Sequence, residues 1–451
     1  MAQVRISLIG AGSGCFSLSL VQDLCSTPGL AGSTICFMDV DEERLDAVHE
    51  LCGRMAQEKG AELVLEKTMD RRTSLAEADF VINTALAGGH ERLREGWRIA
   101  RKHGFDFPGS YHVMYDEAFW INFYQLRLFE GIVEDMLEIC PEAYHLMVAN
   151  PVVAGVTHLA RKYPQSRTIG LCHGYNGVYE VARILGLERE HITFEIPGVN
   201  HFVWLTEFRY KGENAFPVLD RWIEAEAEDY WSENDGGYSG PLNRKCVDLY
   251  RRHGALPIGD TAHWTGACWP WWYHGDEATA ESWGEKDPAL GWDWYFTLVR
   301  DSAERIEKVA GDPAVSVTEE FGGQSHEPMI PLIEAIACDI PTVHIVNVQN
   351  SGGFVPGIPT DFQVEIGALC SGRGVQGIQT NGLPRSILSH ALRDRVAPVE
   401  MELDAYTRGC RESLVELVLM DRWATSRAQA EAFVGEILAL PYHGEMREHY
   451  R

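Results

Sequence analysis

Val4-Arg5-Ile6-Ser7-Leu8-Ile9-Gly10-Ala11-Gly12-Ser13-Gly14 is the stretch on which the fold turns. A short apolar run, Val4 to Ile9, breaks into alternate glycines. Apolar residues then recur at helical spacing through Phe16, Leu18, Leu20, Val21 and Leu24. A strand that ends in a glycine turn and opens a helix offers backbone N–H groups and a helix N-terminus to a pyrophosphate. The full fingerprint asks for glycine where this chain has Cys15. The position of the turn, after the first strand and before the first helix, therefore carries more weight than its letters. A plain tight turn is the rival reading.

Working outward, Thr34 to Asp39 reads as a second strand and Glu42 to Gly60 as a second helix. Glu62 to Leu65, Asp79 to Thr84, His145 to Pro151 and Thr168 to Cys172 read as four further strands. Strands separated by helices of this length imply right-handed crossovers and a mostly parallel sheet. The expected fold class is α/β, with a Rossmann-type, doubly wound domain over residues 1–198. A closely packed C-terminal α+β domain over 199–451, laid out as in lactate and malate dehydrogenases, is expected to carry substrate and oligomer contacts. In that second part, Thr342 to Asn347 and Gln363 to Ala368 look like strands flanking Ser351-Gly352-Gly353, and Arg411 to Leu440 is helical by spacing.

Composition limits what such a chain does. Its 451 residues exceed one small module, at roughly 150 residues per domain. The balance of 39 basic against 66 acidic residues gives a net charge of −27, which repels phosphate backbones and anionic lipid. Nucleic-acid and membrane-surface roles are therefore not expected. No run approaches the ~18 apolar residues of a membrane span, and the N-terminus enters a strand at once, without a signal-peptide pattern. The 11 cysteines are scattered and odd in number, and read as reduced thiols. A cytoplasmic homodimer or homotetramer acting on a small molecule is the expectation.

Within the first domain, Gly10, Gly12, Ser13 and Gly14 are the candidate pyrophosphate residues. Asp39, closing the second strand, is placed to accept ribose hydroxyls and to repel a 2′-phosphate, which favours NAD over NADP. Alternatively Asp39 caps the following helix and Asp41 meets the ribose. Asn83 and the Gly88-Gly89 loop lie along the same crevice.

Malate- and lactate-type dehydrogenases share this beginning, but the later landmarks differ. Gly170-Leu171-Cys172-His173-Gly174-Tyr175 is followed by Gly198-Val199-Asn200-His201-Phe202, with Asn150-Pro151 before and Pro257-Ile258-Gly259-Asp260-Thr261 after. This set resembles glycoside hydrolase family four, the NAD- and Mn²⁺-dependent glycosidases, from Ile9-Gly10-Ala11-Gly12-Ser13 to Glu436-Ile437-Leu438-Ala439-Leu440-Pro441. Within it, the chain looks most like the branch of α-glucosidases and α-galactosidases.

The resemblance implies a hydrolysis unlike the usual two-carboxylate scheme. NAD⁺ takes a hydride from C3 of the sugar, which acidifies the C2 proton. A base removes that proton while a divalent metal steadies the enediolate, and the aglycone leaves with help from a general acid. Water then adds and the hydride returns, so NADH does not accumulate. Cys172 and His201 match the metal ligands; without the resemblance they read as a buried thiol beside a core imidazole. Asp260 matches the C2 base. Asp116 aligns with the general acid, against the rival of a helix-start aspartate, with Glu117 next door. Asn150 matches a residue near the metal and sugar, or is a turn residue before Pro151. His173 lines the sugar pocket or supports the metal site. Tyr175 stands where the α-glucosidase branch has a histidine, so it is assigned to the pocket and leaves sugar preference open. A neutral α-hexoside is the leading substrate and a uronate the alternative. The aromatic cluster from Trp264 to Tyr273 reads as packing more than as sugar contact.

Overall fold

The computed structural model describes residues 1–233, 240–262, 269–285, 288–323, 325 and 327–451. Its first half alternates as the sequence expects. β1 (Arg5–Ile9) leads to α1 (Gly14–Cys25), β2 (Thr34–Met38) to α2 (Glu42–Lys59), and β3 (Val64–Thr68) to α3 (Arg71–Leu75). Then come β4 (Phe80–Asn83), α4 (Gly89–Lys102), α5 (Phe119–Ile139), β5 (Tyr144–Met147), α6 (Val152–Lys162), β6 (Arg167–Gly170) and α7 (Gly177–Ile184). The third strand starts two residues later than Glu62 and runs to Thr68. It is the sheet edge and is largely exposed, so no apolar run marks its end.

These six strands lie parallel in the order β3-β2-β1-β4-β5-β6, the doubly wound arrangement with its switch point between β1 and β4. β1 and β2 are buried but for their first residues, because helices cover both faces of a parallel sheet. One core gathers Ile6, Leu8, Ile35, Phe37, Leu18, Val21, Leu51 and Met55 between the sheet and α1 and α2.

The sheet does not stop at the last parallel strand. Residues 192–377 supply β7 (Ile192–Glu195), β8 (Gly198–Val199), β9 (Phe202–Leu205), β10 (Glu207–Tyr210), β11 (Glu213–Asn214), β12 (Leu256–Ile258), β13 (Thr342–Gln349), β14 (Gln363–Ser371) and β15 (Gly374–Gly377). β13 joins β6 antiparallel through Asn347 and Gly170, and β14, β8, β9 and β12 continue outward to complete a 12-stranded sheet that includes β15 on β14. This extension positions the site. The segment after β6, the β8–β9 turn and the segment after β12 all arrive at one place. β7, β10 and β11 form a separate small sheet.

The C-terminal helical tail is two helices, Arg411–Leu419 and Arg427–Ala439, where the spacing suggested one continuous stretch. Ser426 caps the second by accepting from Gln429 N, which restarts the helix after a turn. Among the described residues no helix is long and apolar enough to cross a membrane.

Candidate active site

The glycine turn is built by close contacts. Gly10 has φ +88, and a Cβ there would come within 2.6 Å of Ala85 N. Its N–H and that of Ala11 both donate to Met38 O, at 2.9 and 3.1 Å, fastening the turn to the end of β2. Gly12 N donates to Asp39 Oδ2 at 2.7 Å, and a Cβ on Gly12 would lie 2.8 Å from the same oxygen. Ser13 N donates to Gly10 O, and the Ser13 side chain takes no part in capping α1. The first-turn N–H groups of α1 have no carbonyls of their own helix to meet.

Asp39 also accepts from Asp41 N at 3.0 Å. The capping alternative for Asp39 is corrected here: Asp41 caps α2, accepting from Arg44 N, because it directly precedes the first helical residue. Asn83 Oδ1 accepts from Ala85 N, while its buried Nδ2 has no hydrogen-bond partner among the described residues. Val40 is 80% exposed and Leu86 37% exposed, just past the ends of β2 and β4. A turn that side chains would fill, a carboxylate at the ribose position and apolar residues on the rim together fit a dinucleotide.

The second cluster comes from three distant segments. Cys172 Sγ, a ring nitrogen of His201 and a carboxylate oxygen of Asp260 lie within 4.8 Å of one another. Cys172 follows β6, His201 sits in the β8–β9 turn at φ +58, and Asp260 follows β12. Gly259, at φ +57, lets the last of these approach: a Cβ there would come 2.9 Å from Gly174 Cα. His201 Nε2 is 3.5 Å from Asp260 Oδ2, and Nδ1 is 3.0 Å from Glu117 Oε1. Burial alone would lower the His201 pKa, but Cys172, Glu117 and Asp260 together hold it well above the ordinary value. Burial pushes the Cys172 thiol up, with Glu365 adding to the effect. A thiol, an imidazole and a carboxylate around a pocket that favours positive charge are a fitting donor set for a divalent cation.

Asp116 also lies beside His201, with one ligand atom each of Asp116, Glu117 and His201 mutually within 4.8 Å. Asn150 Nδ2 donates to Asp116 Oδ2 at 2.8 Å, while Asp116 Oδ1 is buried without a hydrogen-bond partner among the described residues. Burial raises this carboxyl to about 6, so that it keeps a proton to a higher pH than an ordinary aspartate. The helix-start reading of Asp116 does not stand: α5 begins at Phe119 with Ala118 at its cap. Asn150 does precede a cis Pro151, and its carbonyl accepts from Gln125 Nε2 at 2.7 Å. Gln125 also binds Ala85 O and Ala87 N, joining this corner to the loop after β4. Glu117 behaves oppositely to its neighbour. Burial would raise it, but Arg395 and His201 hold it down to about 2.

Two family models cover nearly the whole chain. "Family 4 glycosyl hydrolase" matches residues 5–187, and "Family 4 glycosyl hydrolase C-terminal domain" matches 196–424, more than half of the chain by itself. The chain belongs to the family 4 glycosyl hydrolases. Among its relatives is an alpha-glucosidase of Erwinia rhapontici, 25% identical over 92% of this chain and 93% of that one. An alpha-galacturonidase of Thermoanaerobacterium saccharolyticum is 24% identical over 86% of this chain and 85% of that one. A 6-phospho-alpha-glucosidase from gut microorganisms, solved in complex with NAD and Mn²⁺, has 18% identity and a TM-score of 0.75 over 98% of both chains.

In this family 4 glycosyl hydrolase the remaining sequence-predicted residues, His173 and Tyr175, follow Cys172 in the chain. His173 is exposed, with Nδ1 2.9 Å from Glu327 Oε1, which raises its pKa. Tyr175 is half-buried and packs against the core, and burial pushes its phenol up to about 12. Of the aromatic cluster, Trp269 is core: its indole N–H donates to Asp394 and its ring meets Phe202 and Trp204 edge-on. Trp264 lies outside the described residues. Sequence reading missed Arg395, Glu365 and Glu327, and took Glu117 only as a neighbour. Glu365 accepts from Asn200 Nδ2 at 2.9 Å, one residue from His201. No local pattern flags these groups, because their partners lie far along the chain.

Proposed function

We propose that this chain cleaves neutral α-hexosides, α-glucoside- or α-galactoside-like, using NAD and a divalent cation, Mn²⁺ first among them. One observation carries the reading. Cys172, His201 and Asp260 converge within 4.8 Å at the end of the sheet that carries the dinucleotide turn, with the raised carboxyl of Asp116 also beside His201. The alpha-glucosidase relative and the neighbour solved with NAD and Mn²⁺ support it.

Gly10, Gly12, Ser13, Gly14, Asp39 and Asn83 would hold the dinucleotide, and Cys172 and His201 the cation. When bound, these groups supply hydride exchange at C3 and Lewis acidity toward the sugar's O2 and O3. The protein's own part is proton traffic and position. Asp260 takes the proton from C2. Asp116, steadied by Asn150 at Oδ2, keeps a proton at Oδ1 and gives it to the departing glycosidic oxygen. His173 and Tyr175 meet the hydroxyls that do not react.

The test is a mixture of protein, NAD⁺, Mn²⁺ and a reductant with p-nitrophenyl α-glucoside or α-galactoside. Nitrophenol released without stoichiometric NADH supports the hydrolase. Absorbance growing at 340 nm with no nitrophenol released would mean that the sugar is oxidised and not cleaved, as by a plain dehydrogenase, and would overturn it. The alpha-galacturonidase relative favours a second reading, the same chemistry on a uronate. p-Nitrophenyl α-galacturonide cleaved faster than both neutral substrates would select it. The nine cysteines described as free suit a reducing compartment. The reading also includes a cytoplasmic homodimer or homotetramer, and a division near residue 198 between dinucleotide and substrate halves.

A further inference from the structure

Behind His201, on the side away from Asp260, lies a charged network with no part in the chemistry above. Glu117 is fully buried, with Oε1 3.0 Å from His201 Nδ1. Arg395 is also fully buried and belongs to a π-helical segment, Leu392–Val396, a rare form that often marks functional positions. One guanidinium nitrogen of Arg395 donates to both oxygens of Glu117, at 3.1 Å each, and to Asn200 O at 3.0 Å. The guanidinium carbon lies 3.6 Å from the centre of the Tyr111 ring. Tyr111 in turn donates its hydroxyl proton to His201 O at 3.1 Å.

The network thus grips the histidine in three ways: at its ring, at its own carbonyl and at the carbonyl before it. That grip has a use. His201 holds φ +58, a left-handed conformation that is strained for a non-glycine residue and persists only where the surroundings over-determine it. Burying a carboxylate and a guanidinium together is also expensive, and a well-packed apolar pair would often be as stable. A structural role alone explains the pair poorly.

We propose that Glu117 and Arg395 are positioning residues for the cation site. Glu117 takes the Nδ1 side of His201, so that Nε2, the nitrogen facing Asp260, presents its lone pair to the cation, and Arg395 fixes Glu117 and the β8–β9 turn relative to each other. The Glu117 contact is a close approach of charge rather than an aligned hydrogen bond. A cation on Nε2 makes the Nδ1 proton more acidic and so strengthens its attraction to the carboxylate. Carboxylate, imidazole and cation would then support one another in series. This role rests on the metal reading above.

The test is Mn²⁺ titration of the NAD⁺-loaded protein, following the free Mn²⁺ signal by electron paramagnetic resonance, with NAD⁺ affinity measured in parallel. Glu117→Gln keeps the shape and removes the charge, and should weaken Mn²⁺ by roughly 10–100-fold. Arg395→Lys keeps the charge but loses the planar group that lies over the Tyr111 ring, and should weaken it about tenfold. NAD⁺ affinity should stay within about twofold in both. Unchanged Mn²⁺ affinity in both variants overturns the proposal. Parallel loss of NAD⁺ and Mn²⁺ affinity also overturns it, because the network would then be supporting the fold at large. Cys172→Ser separates the two levels. If wild type binds no Mn²⁺, or binds it equally after Cys172→Ser, the metal reading fails and the positioning role falls with it.

Discussion

The dinucleotide turn and the cation cluster stand at the same end of one sheet and are built on opposite logic. The turn is local: residues 10–14 fold back on β2 and Asp39, and the Asp39 carboxylate is satisfied by the backbone N–H groups of Gly12 and Asp41. The cluster is assembled from segments ending near residues 116, 172, 201 and 260, and it leaves Asp116 Oδ1 buried without a hydrogen-bond partner among the described residues. A local turn whose carboxylate is already held by backbone N–H groups binds by shape. A convergent, under-satisfied cluster stores the polar capacity that a cation and a sugar would use. Substitutions should therefore act very differently in the two places.

The largest effect belongs to the cluster. Cys172→Ser or His201→Ala should lower turnover by about 10⁴-fold or more, the several kcal/mol a Lewis acid supplies, and excess Mn²⁺ should not fully rescue either. Activity within tenfold of wild type would remove the cation from the account.

Next come the two proton carriers. Asp260→Asn should cut turnover by roughly 10²–10⁴-fold and stop solvent deuterium from entering C2, with NAD⁺ affinity nearly unchanged. Undiminished exchange would take the base role from Asp260. Asp116→Asn should cost a similar factor on an alkyl glycoside and much less on a p-nitrophenyl glycoside, whose leaving group needs little protonation. Equal losses on both substrates would mean that Asp116 is not the acid.

In the turn the effects shrink. Asp39→Ala should weaken NAD⁺ by about 1.5–3 kcal/mol, read by equilibrium titration, while Mn²⁺ binding holds. Gly14→Ala is the smallest. Its Cβ would meet Ile306 Cδ1 at 2.2 Å, the far end of a flexible side chain, so unfolding stability should fall by no more than about 1 kcal/mol and recover with Ile306→Val. A Gly14→Ala protein as stable as wild type would show that the helix carrying Ile306 yields freely.

The same contrast explains what the sequence disclosed. Strand, glycine turn, helix and the following aspartate are read from neighbouring residues, because their conformation is set within a few positions. The six parallel strands came through for the same reason, and only the bounds of the exposed edge strand β3 shifted, because its burial pattern carries little signal. Cys172, His201 and Asp260 were found through family resemblance, since nothing in a list of residues says that 172, 201 and 260 meet. Arg395 was invisible to either route. An arginine in a helical segment normally reads as surface, and only the packing of Leu392–Val396 behind His201 shows it buried against Glu117.

The central claim is that one thiol and one imidazole grip a cation. Anomalous X-ray diffraction at the manganese edge, from crystals grown with NAD⁺ and Mn²⁺, tests it most directly. The account requires a single strong peak within bonding distance of both Cys172 Sγ and His201 Nε2. A peak elsewhere in the chain, or none at full Mn²⁺ loading, would contradict it.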